Sequence, residues 1–259
     1  MQPRDKSKLR WSELSKLAET PAHYRYAADH DSVATAAMRL GSAVHSAVLT
    51  PSSFRQDYAI KDWDGRTAAG KARAAEIAAS GVEILSVEEA DTCEAIATAI
   101  HDHPAASVLL ADAAVVESEI TWNDGGIECA GRLDVVTNLG QVVDLKTARS
   151  ISTSAIQRTI INRMYHGQLS WYRTGLMAAA GIDGPPPAII WVESQPPYCV
   201  RVTRLSQRLV ALGDTLVDRL LGEFRRCLDE DTWRGYSDGI EEIDAPEWAA
   251  EEEPSDDWE

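Results

Sequence analysis

The sequence predicts an α/β domain built on a central mixed β-sheet flanked by helices, and three observations predict it. Helical periodicity runs through the chain up to about residue 101. Period-two alternation, punctuated by two turn signals, takes over between 115 and 146. Helices then alternate with two further strands up to about residue 228. No repeat or linker divides this stretch, so residues 1–237 read as one domain and residues 238–259 as an acidic C-terminal tail.

Each element follows from local chemistry. A short helix begins at Trp11 and stops near Pro21. Residues 33–49 are rich in alanine, with Met38, Val44, Val48 and Leu49 at roughly helical intervals. Thr50-Pro51 ends that helix, because a residue before proline avoids the α region. Residues 67–80 and 86–101 form two more helices, separated by Gly81 and the stretch Val82-Glu83-Ile84-Leu85. Residues 115–123 alternate, Asp124-Gly125-Gly126 marks a turn, and residues 127–137 form a second strand. A second turn at Asn138-Leu139-Gly140 leads to a third strand at 141–146. One helix covers 153–180, strands follow at 188–194 and 199–204, and a last helix covers about 206–228.

Composition narrows the function classes. The 259 residues are 44% hydrophobic and 25% charged, which excludes a chain disordered throughout. No apolar run approaches the ~20 residues of a membrane-spanning helix, and no apolar stretch follows Met1, so a cytoplasmic location without a membrane partner is expected. Cys93, Cys129, Cys199 and Cys227 include no CxxC pair, which argues against a disulfide frame, a zinc site or an iron–sulfur cluster. The net charge of −16 argues against nucleic acid, but its distribution matters more. The tail holds eleven acids and no Lys or Arg. Between 132 and 173 the sign reverses, with Arg132, Lys146, Arg149, Arg158, Arg163 and Arg173 against only Asp134 and Asp144.

The chemistry centres on Gly131-Arg132-Leu133-Asp134, the short turn, and Asp144-Leu145-Lys146. If residues 138–140 are the hairpin loop, Thr137 pairs with Gln141 and Asp134 stands opposite Asp144. Directly paired residues have Cβ atoms about 4.5–5.5 Å apart. Carboxylates that close repel each other unless a cation lies between them, and Lys146 projects from the same face. Two oxygen ligands suit Mg²⁺, which leaves its other positions to water and phosphate. An isolated pattern this short also occurs on solvated hairpins. Here Val135, Val143 and Leu145 make the other face apolar, which points to central strands where an unpaired carboxylate is costly. Glu117 and Glu119 share one face of the preceding strand; Glu119 is the expected additional ligand. Arg132, Arg149, Arg158, Arg163 and Arg173 are candidate phosphate contacts, with solvated surface charges the alternative.

Asp134 with Asp144-Leu145-Lys146 resembles the PD-(D/E)xK nuclease signature, with Asp where Glu is commoner. Gln168-Leu169-Ser170-Trp171-Tyr172 is similar to the QxxxY motif of its RecB-like branch, and Gly41-Ser42-Ala43-Val44-His45 to that branch's helix histidine. Leu14-Ser15, Pro21-Ala22-His23-Tyr24 and residues 40–49 resemble the nuclease domain of RecE-type exonucleases (exonuclease VIII). The resemblance spans roughly residues 11–235. It implies a restriction-endonuclease-like core with His45, Asp134, Asp144 and the Leu145 carbonyl holding metal, and Lys146 as the catalytic lysine. Gln168 and Tyr172, four apart on one helical face, would line the DNA-end site. The implied activity is Mg²⁺-dependent exonuclease digestion of linear duplex DNA, 5′→3′, leaving 3′ overhangs for recombination by strand annealing, with Mn²⁺ able to substitute. A ring-like homo-oligomer, a single-strand annealing partner, and a bacterial or phage-infected host are implied as well. Two alternatives remain open: a catalytically silent module binding DNA ends or proteins, and an endonuclease or single-strand nuclease on the same fold.

Three other motifs carry no chemistry. His101-Asp102-His103 precedes Pro104 at a helix end without further ligands and reads as a polar loop. The segment from Gly65 to Lys71 approaches a phosphate loop, but Ala72 replaces the required hydroxyl, so no nucleotide cofactor is expected. Residues 235–239 fit the letters of GxSxG without the strand that a nucleophile elbow needs.

Overall fold

The computed structural model describes residues 7–30 and 34–246. The chain opens with β1 (Leu9–Arg10) and α1 (Trp11–Leu14), followed by a 3₁₀ turn at Ser15–Ala18. α2 (Pro21–Asp29), α3 (Ala36–Leu49) and α4 (Pro51–Asp57) lead to β2 (Tyr58–Lys61), α5 (Ala68–Ala79) and β3 (Glu83–Ser86). α6 (Val87–Asp102) and α7 (Pro104–Ala111) precede the central strands β4 (Ala113–Asp124), β5 (Ile127–Thr137) and β6 (Val142–Ala148). α8 (Thr153–Asn162), α9 (Tyr165–Ala180), β7 (Ala188–Glu193), β8 (Val200–Arg204) and α10 (Gln207–Glu230) complete it. No described helix is long and apolar enough to cross a membrane.

The expected mixed sheet flanked by helices is present, with six strands among the described residues. β4, β5 and β6 are antiparallel neighbours, β7 joins β6 in parallel, and β8 closes the far edge antiparallel to β7. α3 and α6 cover one face, where Val44, Val48, Cys93 and Ile96 pack on Val135, Val143 and Leu145. α8, α9 and the start of α10 cover the other, where Ile156, Ile160, Leu169 and Val210 meet Val136, Val142 and Ile189. A third cluster ties Leu9, Trp11 and Leu14 to Trp122, Trp171 and α10. α10 earns that place by its spacing: Val210, Val217, Leu220, Leu221 and Phe224 recur at helical intervals and are buried, behind a Ser206 cap.

Prolines explain the elements that sequence reading missed. Pro21, Pro51 and Pro104 each end one element and also open the next helix at its first turn, where a missing N–H costs nothing. The expected single helix at 153–180 is two helices, because Met164 adopts a left-handed conformation (φ 53°) between them. After α10, Trp233 stacks on Tyr24 with ring centroids 5.1 Å apart, and the Arg234 carbonyl accepts from the Ala22 amide. Residues 238–246 of the acidic tail are exposed coil, and residues 247–259, with seven of its acids, lie outside the described residues.

One irregularity positions the site. β4 pairs with β5 from Asp124 opposite Ile127 to Ala113 opposite Thr137, with a break at Glu117 and a register shift between Ala113 and Val115. The other edge of β5 is shared between β1, at Cys129 and Ala130, and β6, at Val135 and Val136. Among the described residues, Gly131 to Asp134 have no ladder partner on that side. The Thr137 amide donates to the Gln141 carbonyl at 3.0 Å as expected, but the ladder stops one pair short of Asp134 and Asp144.

Candidate active site

The gap beside β5 gathers the functional side chains. The Asp134 carboxylate takes the place of a ladder acceptor: its Oδ2 accepts the Leu145 amide at 2.8 Å. Directly across β4 stands Glu117, at φ 49°, a left-handed conformation rarely adopted outside glycine. That twist separates Glu117 from Glu119, which regular alternation would keep on one face. α3, capped by the Thr35 hydroxyl, delivers His45 to the same point. His45 Nδ1 lies 3.5 Å from Asp134 Oδ2 and 3.8 Å from Glu117 Oε1. One ligand atom each from His45, Glu117 and Asp134 falls within 4.8 Å of the others.

Asp144 and Lys146 stand beside this triad on β6. Asp144 is 2% exposed and its Oδ2 lies 2.7 Å from Lys146 Nζ. That short ion pair is the only polar contact of this buried oxygen among the described residues. On the facing helix α9 the Gln168 amide donates to the Tyr172 hydroxyl at 2.9 Å. Gly131 lets Tyr172 lie against the β5 backbone, since a Cβ there would come within 3.0 Å of the ring.

Electrostatics follow the burial. Burial pulls the His45 pKa down, but the Asp134 and Glu117 carboxylates outweigh it and push the value up to about 10. Burial raises Asp134, but His45, Lys146 and the Leu145 amide hold it below the usual carboxylate range. Burial and the nearby Asp134 charge push Asp144 up against the pull of Lys146. Burial opposes the charge on Lys146, yet Asp144 and Asp134 hold the amine protonated. Burial also pushes the Tyr172 hydroxyl up to about 12, helped by the Asp144 charge.

The donor set fits a divalent cation. It offers two carboxylates and an imidazole within 4.8 Å of one another, with the buried Asp144 carboxylate and its Lys146 partner alongside. Glu117, rather than the expected Glu119, joins the cluster, and Glu119 pairs with Arg10 at 2.8 Å. Counting back from the turn would have found it: the pair Asp124 and Ile127 puts Glu117 opposite Asp134 and Glu119 opposite Arg132. Arg132 is engaged by a carboxylate rather than free for phosphate, with its Nε 2.6 Å from Glu117 Oε2. Arg173 likewise faces Asp183 at 3.4 Å and Asp214 at 3.9 Å. Arg149, Arg158 and Arg163 are exposed and form no ion pair among the described residues. His103 has a structural task, capping α7 through Nδ1. Residues 65–71 follow β2 and a short turn into α5, but Ala72 stands where a phosphate loop needs its hydroxyl, and residues 235–239 are coil.

The family described as "PDDEXK-like domain of unknown function (DUF3799)" matches residues 11–246. The chain belongs to that family. This PDDEXK-like chain is also similar to a solved structure from Eubacterium rectale titled "Putative exonuclease", at a TM-score of 0.65 and 14% identity. That match covers 97% of this chain and 99% of the other, and at such identity the likeness is one of fold. The structure of SSO0001 is 15% identical over 89% of this chain and 87% of that one, but a TM-score of 0.33 carries no argument. No curated protein matches. The PDDEXK-like assignment agrees with the nuclease fold expected from Asp134, Asp144 and Lys146.

Proposed function

We propose that this chain is a divalent-metal-dependent nuclease that hydrolyses DNA phosphodiester bonds, acting as an exonuclease on linear duplex ends. The observation that carries the reading is the convergence of His45, Glu117 and Asp134 within 4.8 Å, beside a buried Asp144 in contact with Lys146. Several acids sharing one partly buried spot with only a few cations to balance them cost desolvation. The set suits a cation and a phosphate.

His45, Glu117, Asp134, Asp144 and the Leu145 carbonyl would hold Mg²⁺, with Mn²⁺ as substitute. When bound, the cation supplies charge for the scissile phosphate and favours formation of the nucleophile. The chain's residues do the rest. Lys146, fixed by Asp144, presents an ammonium that orients the attacking water and meets the negative charge developing on the phosphoryl oxygens. Gln168 and Tyr172, linked to each other on α9, seat the DNA end. Arg149, Arg158 and Arg163 meet backbone phosphates without reading sequence. The resemblance to RecE-type exonucleases supports 5′→3′ digestion, 3′ overhangs for strand annealing, a ring-like oligomer and an annealing partner.

End-labelled linear duplex tests the proposal, incubated with Mg²⁺, with and without EDTA, using wild type beside Asp134→Ala. Cleavage by wild type that EDTA and the substitution both abolish is expected. Full cleavage in EDTA or in the variant contradicts the metal mechanism, and a closed circle degraded as fast as linear DNA contradicts end dependence.

A further inference from the structure

Lys146 has a second contact besides Asp144. Its Nζ lies over the ring of Tyr165, 4.7 Å from the centroid, a distance at which the negative face of an aromatic ring attracts an ammonium. Tyr165 is the first residue of α9 and is aimed by the left-handed Met164 immediately before it. Its ring also packs on Trp191, with centroids 6.0 Å apart, and Trp191 is the residue beside Lys146 on the neighbouring strand β7. Tyr165, Gln168 and Tyr172 recur at steps of three and four, so one stripe of α9 faces the site.

We propose that Tyr165 is a positioning residue for Lys146, an inference that rests on the nuclease reading of this site. A lysine side chain is flexible and its ammonium is a compact charge. The Asp144 carboxylate fixes the ammonium from one direction, and a carboxylate alone leaves the stem free to swing about it. The aromatic face supplies the second direction. The contact needs the ring and not the hydroxyl, so phenylalanine preserves it and an aliphatic residue of similar bulk does not.

The test combines kinetics with NMR of the full chain. Tyr165→Phe keeps kcat close to wild type, whereas Tyr165→Leu and Tyr165→Met lower kcat about ten- to a hundredfold with little change in KM. In a Lys146→Ala background, Tyr165→Leu lowers the residual rate no further. The chain has only six lysines, so lysine-selective ¹³C spectra of the metal-free protein resolve Lys146. Its ε-methylene protons are shifted upfield by the ring in wild type and Tyr165→Phe, and lose that shift in Tyr165→Leu. Absence of cleavage by wild type overturns the nuclease reading itself. With wild type active, unchanged kcat in folded Tyr165→Leu or Tyr165→Met, or equal loss in the Phe variant, overturns the role of Tyr165 alone. A further loss in the Lys146→Ala background, or no upfield shift in wild type, does the same.

Discussion

Strand β5 passes through two environments. At Cys129 and Ala130 it is flanked by β4 and by β1, and the Trp171 indole donates to the Ala130 carbonyl at 3.0 Å. Cys129, Ala130 and Trp171 are fully buried there. From Gly131 to Asp134 one edge is open, and side chains take over the work of the ladder. The apolar half is held by burial and regular pairing, so it sets stability. The charged half interrupts that pairing at Asp134 and at Glu117, and it crowds acids together. Strain and buried charge concentrated in one place mark a site kept for binding rather than for stability.

Each half can be broken separately. The largest effect comes from the charged half: Lys146→Ala and Asp134→Ala lower kcat by about 10²- to 10⁴-fold, while circular dichroism shows a folded chain with a cooperative melt. Breaking the apolar half does the opposite. Trp171→Ala costs about 3–5 kcal/mol of stability, read as a fall in Tm, with cleavage per folded molecule retained. The two acids of β4 then separate site from surface. Glu117→Gln weakens Mn²⁺ binding by about 10- to 100-fold in titration calorimetry, whereas Glu119→Gln leaves it unchanged and loses only an exposed pair with Arg10. The smallest effects lie outside both halves. Arg149→Ala and Arg158→Ala each reduce the salt dependence of duplex binding by about one phosphate contact, with kcat unchanged.

The fold was legible wherever one period dominated. Alternation gave the limits of β5, and turn residues gave the Thr137–Gln141 pairing, because both depend on neighbours along the chain. Asp134, Asp144 and Lys146 could be brought together from the hairpin alone. What escaped depends on backbone geometry that side-chain identity does not encode. Nothing in Val116-Glu117-Ser118 announces a left-handed residue, although the register counted from the turn at 124–127 already sets Glu117 opposite Asp134. Met164 hides the break between α8 and α9 in the same way, and with it the aim of Tyr165 at Lys146. The charges of Arg132 and Arg173 were visible, but their carboxylate partners come from other strands and helices.

Anomalous diffraction from a crystal soaked in Mn²⁺ tests the central claim most directly. A strong peak is expected within coordination distance of His45, Glu117 and Asp134, absent from Asp134→Ala crystals of the same form. Density elsewhere on the surface with none in the gap beside β5, or a peak undiminished in the variant, would contradict that claim.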